Sequence, residues 1–110
     1  MARAIKLVLV TAKHLPQHRY FEKLAKELSS KLGVDLEIRE EDYEFLSNYG
    51  QKDEFGMAWA PQLFVVLEDG SVKIVLSQLP IDATTLKIDL EKAKAEALEN
   101  LKKLGVSIAE

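Results

Sequence analysis

Residues 59–72 read Trp-Ala-Pro-Gln-Leu-Phe-Val-Val-Leu-Glu-Asp-Gly-Ser-Val, and no other stretch limits the fold so tightly. Pro61 has no N–H to give to a sheet ladder, so it belongs at the start of a strand. Leu63 to Leu67 is unbroken apolar sequence of strand length. Glu68-Asp69-Gly70-Ser71 then supplies a turn, and Val72 to Leu76 resumes a β-rich run. The second half of the chain is therefore expected to contain an antiparallel hairpin.

The first half has a different pattern. Ile5 to Val10 is β-branched and nearly continuous, which predicts a strand buried on both faces. Pro16 suits a first helical turn, and Phe21, Leu24, Ala25, Leu28 and Leu32 then form one apolar stripe. Gly33 supplies a left-handed stop. Val34 to Arg39 alternates strictly, predicting a second strand with one apolar face. Strand, helix and strand make a βαβ unit whose strands run parallel.

Glu40-Glu41-Asp42 predicts the start of a short helix with Phe45, Leu46 and Tyr49 on its buried side and Gly50 at its end. Residues 51–60 are expected to be loop. After the hairpin and a break at Pro80, a helix is expected from about Thr85 to Leu104, with Leu86, Leu90, Ala93, Ala97, Leu101 and Leu104 on one face. The tail from Val106 is too short to place. The order β-α-β-α-β-β-α predicts an α/β domain over residues 1–110, with a mixed four-stranded sheet covered by helices on both faces.

Three segments resemble the thioredoxin family. Val10-Thr11-Ala12-Lys13-His14-Leu15-Pro16-Gln17-His18-Arg19-Tyr20-Phe21 is similar to its passage from first strand through active-site loop into helix. Ala60-Pro61 resembles the family's cis-proline, which precedes a central strand and faces that loop. Glu68-Asp69-Gly70 matches the hairpin turn that follows. The resemblance covers roughly residues 4–104 and implies a thioredoxin-like fold with a cis Ala60–Pro61 bond. Composition alone would imply trans, since X-Pro bonds in folded proteins are cis only about 5% of the time.

The departures decide the chemistry. The chain has no cysteine, and His14 and Gln17 occupy the positions of the two redox thiols. Val8 stands where the resemblance places a proton-carrying carboxylate. Imidazole and amide cannot perform thiol–disulfide exchange, so that activity is excluded. What the resemblance still implies is a groove in which backbone beside the cis-proline pairs with an extended peptide, a mode that needs no thiol. Its residues would be Lys13, His14, Leu15, Pro16 and Gln17 on one side, and Trp59, Ala60 and Pro61 on the other. A redox-inactive module binding a protein or peptide is the expected function, and enzymatic activity is not the leading expectation.

The alternative is a small enzyme or carrier holding an anionic ligand at the start of the first helix. Lys13, His14, His18 and Arg19 surround that terminus, where unpaired N–H groups attract anions. His14 and His18 have a spacing compatible with metal, but no acid follows at a helpful interval, so both are read as exposed polar residues. No cofactor or metal is expected. Glu40, Glu41, Asp42 and Glu44 are read as a solvated turn, and Ser29, Ser47, Ser71 and Ser77 lie in no nucleophile-elbow context.

Charge is unevenly distributed. Residues 1–33 hold seven Lys/Arg against two acids, and residues 34–69 hold two against ten, within a net charge of −3. A slightly acidic chain lacks the cationic footprint of a nucleic-acid binder. The longest apolar runs, Leu7 to Val10 and Leu63 to Leu67, are too short to span a membrane. No apolar targeting segment precedes Ile5, so the expected location is cytoplasmic. Abundant Lys and Glu with few Asn and Gln lean toward a heat-adapted source. A homodimer is compatible with this sequence without being indicated by it.

Overall fold

Alternation along the first strand organises the molecule. In the computed structural model, which describes residues 3–108, β1 spans Ala4–Thr11 and is buried from Leu7 onward. Leu7 and Leu9 point into one core, while Val8 and Val10 point into another on the opposite face. The other elements are α1 (His18–Leu32), β2 (Asp35–Glu40), α2 (Tyr43–Tyr49), β3 (Gln62–Leu67), β4 (Val72–Leu76) and α3 (Leu90–Lys103). They form a mixed four-stranded sheet in the order β2-β1-β3-β4.

β1 and β2 are parallel, from Lys6↔Asp35 to Thr11↔Glu40. β3 runs antiparallel to β1 and to β4, so the expected hairpin is present. This register gathers four chain ends on one side of the sheet. The last pair of β1 with β3 is Val10↔Gln62, and Leu63 pairs with Leu76. The segments that leave β1, β2 and β4 and the one that enters β3 therefore meet at a single end.

The larger core lies between the sheet and α1 with α3, where Phe21, Leu28, Ala97 and Leu101 are fully buried against Leu63 and Val65. The smaller core lies on the other face, where Leu46 of α2 packs on Val8, Val10 and Phe64. Helices thus cover both faces, and no helix among the described residues is long and apolar enough to cross a membrane.

Several local expectations are corrected. α1 begins at His18 rather than at Pro16, because Leu15 N–H donates to Ala12 O and His18 N–H to Leu15 O, closing turns before the helix. α3 begins at Leu90 rather than near Thr85. Asp89 caps it by accepting from Lys92 N–H at 3.0 Å, and Ile81 bridges to Ile88 upstream. Leu86 is consequently 78% exposed with φ +60° and does not share the buried face of the helix.

α2 begins at Tyr43, because Asp42 acts as its cap and accepts from Phe45 N–H at 2.9 Å. Its buried side narrows to Leu46, with Phe45 half-buried and Tyr49 exposed. Ile38 of β2 is also exposed, because β2 is an edge strand and its outer flank has no cover. Val106, in the unplaced tail, is buried in the larger core.

Candidate functional site

The converging end of the sheet is built around one buried amide. Gln62 opens β3 with no exposed surface, and its side-chain amide makes three hydrogen bonds to the loop before it. Its Oε1 accepts from Gln51 N–H at 2.9 Å, while its Nε2 donates to Gln51 O at 3.0 Å and to Trp59 O at 2.8 Å. Buried polar atoms without partners are costly, so this side chain fixes both ends of the 51–59 segment. Gly50 permits it. A Cβ there would lie 2.7 Å from Leu46 O and 3.2 Å from Gln62 Nε2.

Trp59 is secured from the β4 side. Its indole N–H donates to Ser77 O at 2.8 Å, leaving the ring half-buried. Ala60 is half-buried and Pro61 buried, and the bond between them is cis. Among the described residues, neither the N–H nor the C=O of Ala60 takes part in a hydrogen bond. This is free backbone polarity at the mouth of a sheet, beside an aromatic ring.

Residues 12–17 leave β1 at the same end. Ala12 is buried, Leu15 and Gln17 are half-buried, and Lys13, His14 and Pro16 are exposed. The segment is tied at both ends by a contact that sequence reading missed. Thr11 Oγ1, fully buried, lies 2.9 Å from His18 Nδ1. His18 Nε2 lies 3.7 Å from the Glu22 carboxylate. His18 is therefore turned inward, which corrects its reading as an exposed loop residue. The helix period places Glu22 one turn below His18, but only the tertiary path of β1 brings Thr11 to it.

The same contacts divide the four residues considered for an anion. Lys13 and His14 face solvent, whereas His18 faces Thr11 and Glu22, and the Arg19 guanidinium lies 5.2 Å from the centre of the Tyr20 ring. α1 has no side-chain cap and no acid in its first turn. Among the described residues, no group of three or more His, Asp or Glu is placed to hold a metal ion.

Beside this end, the parallel strands carry a chain of ion pairs. Lys6 Nζ lies 2.8 Å from Glu37, Glu37 contacts Arg39, and Arg39 Nη1 reaches Asp42 at 2.9 Å. Lys6 foremost, then Arg39, holds the Glu37 carboxyl below its ordinary range. Asp42 is lowered by the Phe45 N–H it caps and then by Arg39. Arg39 also stacks 5.0 Å from the centre of the Phe45 ring, so the ladder fixes the start of α2.

No family model, no curated protein and no solved structure matches the chain.

Proposed function

We propose that this chain is a redox-inactive thioredoxin-like module that binds an extended peptide or protein segment in the groove between Lys13–Gln17 and Trp59-Ala60-Pro61. The unbonded N–H and C=O of Ala60 carry the reading, because an incoming strand would satisfy both. Trp59 offers an apolar wall and Leu15 a second one, each half-buried and each held by neighbouring backbone. The order β2-β1-β3-β4 with one parallel pair is compatible with the thioredoxin arrangement. Without cysteine, binding is the only part of that family's repertoire open to this groove. The anion reading has less support, since two of its four residues, His18 and Arg19, are engaged elsewhere.

The test is selection from a displayed library of random peptides, followed by amide-shift mapping on isotope-labelled protein. Bound peptides should perturb residues 13–17 and 59–61. Trp59→Ala and Leu15→Asp, each checked for intact folding by circular dichroism, should each weaken binding by about tenfold or more. Perturbations elsewhere, or undiminished affinity in both folded variants, would remove the groove from consideration.

A further inference from the structure

Residues 51–58 form a small closed hairpin that does something the groove does not require. Asp53 N–H donates to Met57 O at 2.9 Å and Gly56 N–H to Asp53 O at 3.0 Å. The Asp53 carboxylate accepts from Phe55 N–H at 2.9 Å and Met57 N–H at 3.0 Å, and Lys52 bridges to Ala58. Four hydrogen bonds thus hold the backbone in one shape. In that shape Phe55 is 81% exposed and Met57 66% exposed. A flexible loop would be free to fold such side chains against the protein; this one is braced to present them. Anchors already held in a fixed conformation lose little freedom when they bind.

The neighbouring surface on α2 continues the pattern. Tyr43 and Tyr49 are exposed, and the Tyr49 ring packs at a tilt against Phe45 with ring centres 4.9 Å apart. Tyr49 borders a cleft of about 220 Å³, whose other walls are Arg39, Asp42, Glu44, Phe45 and Asn48. Around this surface Glu40, Glu41, Glu44 and Glu54 are exposed, and among the described residues none of them is ion-paired. Carboxylates beside aromatic rings complement lysine and arginine side chains.

We infer that α2 and the 51–58 hairpin form a docking surface, separate from the groove, for a cationic segment of another protein. Phe55 and Met57 enter apolar sites on that partner, and its Lys or Arg side chains meet Glu44, Glu54 and the Tyr49 ring. A second copy of this chain fits the surface poorly. Two such faces would set like charges against each other. The basic face of α1 offers Arg19, Lys23 and Lys26. The recess beside it, about 90 Å³ between Lys23, Leu24, Glu27, Leu90 and Glu91, is smaller than the roughly 150 Å³ that takes a benzene ring and so is too small for Phe55.

A short peptide alternating lysine and leucine, titrated into labelled protein, is the probe. A second peptide with glutamate in place of lysine is the control. Saturable shifts over residues 43–57 are expected with the first and none with the second, weakening as salt rises. Phe55→Ser combined with Met57→Ser should weaken binding at least about tenfold, and Glu44→Gln with Glu54→Gln should reduce its salt dependence. These side chains are at the surface, so the variants should keep the parent's thermal midpoint. Three results would overturn the inference. One is the absence of saturable shifts. Another is a response confined to residues 13–17 and 59–61, which would support the groove while removing this surface. The third is self-association of the free protein in sedimentation that the Phe55/Met57 variant abolishes.

Discussion

Gln62 and Gly50 act as one device. The amide reaches three backbone groups only because the position beside it carries no Cβ. Replacing Gln62 with Leu would leave Gln51 N–H, Gln51 O and Trp59 O to find other partners. Stability should fall by about 2 kcal/mol or more in urea unfolding, on the scale of buried polar groups left unpaired. Hydrogen exchange across 51–59 should accelerate. Gly50→Ala should cost about 1–3 kcal/mol through overpacking. The cost should be smaller in a Gln62→Ala background, where one of the two crowding neighbours is gone. Leu86 is the opposite case, a side chain in left-handed backbone with almost nothing to pack on. Leu86→Asn is expected to leave stability unchanged or raise it by up to about 1 kcal/mol, while Leu86→Val lowers it. Both effects are read from thermal midpoints.

At the scale of elements, the two faces of the sheet are unequally protected. α1 and α3 cover one face with many buried side chains, whereas α2 is a seven-residue helix with Leu46 as its single buried residue. Its position depends on Leu46 and the Phe45 ring against Phe64, on the Asp42 cap, and on Arg39 between Asp42 and the Phe45 ring. Leu46→Ala should therefore cost about 3 kcal/mol and loosen α2 selectively. Native-state exchange should show amides of 43–49 losing protection while those of β1 and β3 keep theirs. If all elements lost protection together, α2 would be part of the global cooperative unit. The inequality also matters for binding, because the less protected face carries the exposed aromatic residues and the braced hairpin.

Across the whole molecule, the depressed carboxyls predict how stability responds to acid. Glu37, Asp42, Asp69 and Asp82 all titrate below their ordinary range when folded, held by Lys6, by capped and turn N–H groups, and by the Ser71 hydroxyl. In the window between folded and unfolded pKa values the unfolded chain binds more protons, so lowering the pH favours it. Urea midpoints should be level above about pH 5 and fall progressively below about pH 4, where unfolded carboxyls take up protons. Asp42→Asn should make that fall shallower. These groups are near the surface, so high salt should shrink the part of the effect that comes from ion pairs.

How much of this was legible in the chain follows from the range of the interactions involved. Burial of β1 on two faces, the apolar stripe of α1, the Gly33 stop and the Asp-Gly hairpin depend on neighbours within a few residues. Residue type and spacing were enough to read them. The absence of cysteine settled the exclusion of thiol chemistry before any fold was known. The apolar period extends back to Leu86 and so predicts an earlier start for α3 than the structure has, because the Asp89 cap and the Ile81–Ile88 bridge act against it. What only the tertiary structure decided involves groups distant in sequence. Gln62 is an ordinary polar residue until the Gly50 turn is brought against it, and His18 an ordinary loop histidine until β1 delivers Thr11. The outward display of Phe55 and Met57 is local by contrast, since the Asp53 carboxylate two and four residues upstream braces it. A chain states its local preferences residue by residue; which polar groups are left unpaired and which apolar ones uncovered is decided once distant segments compete for the same space.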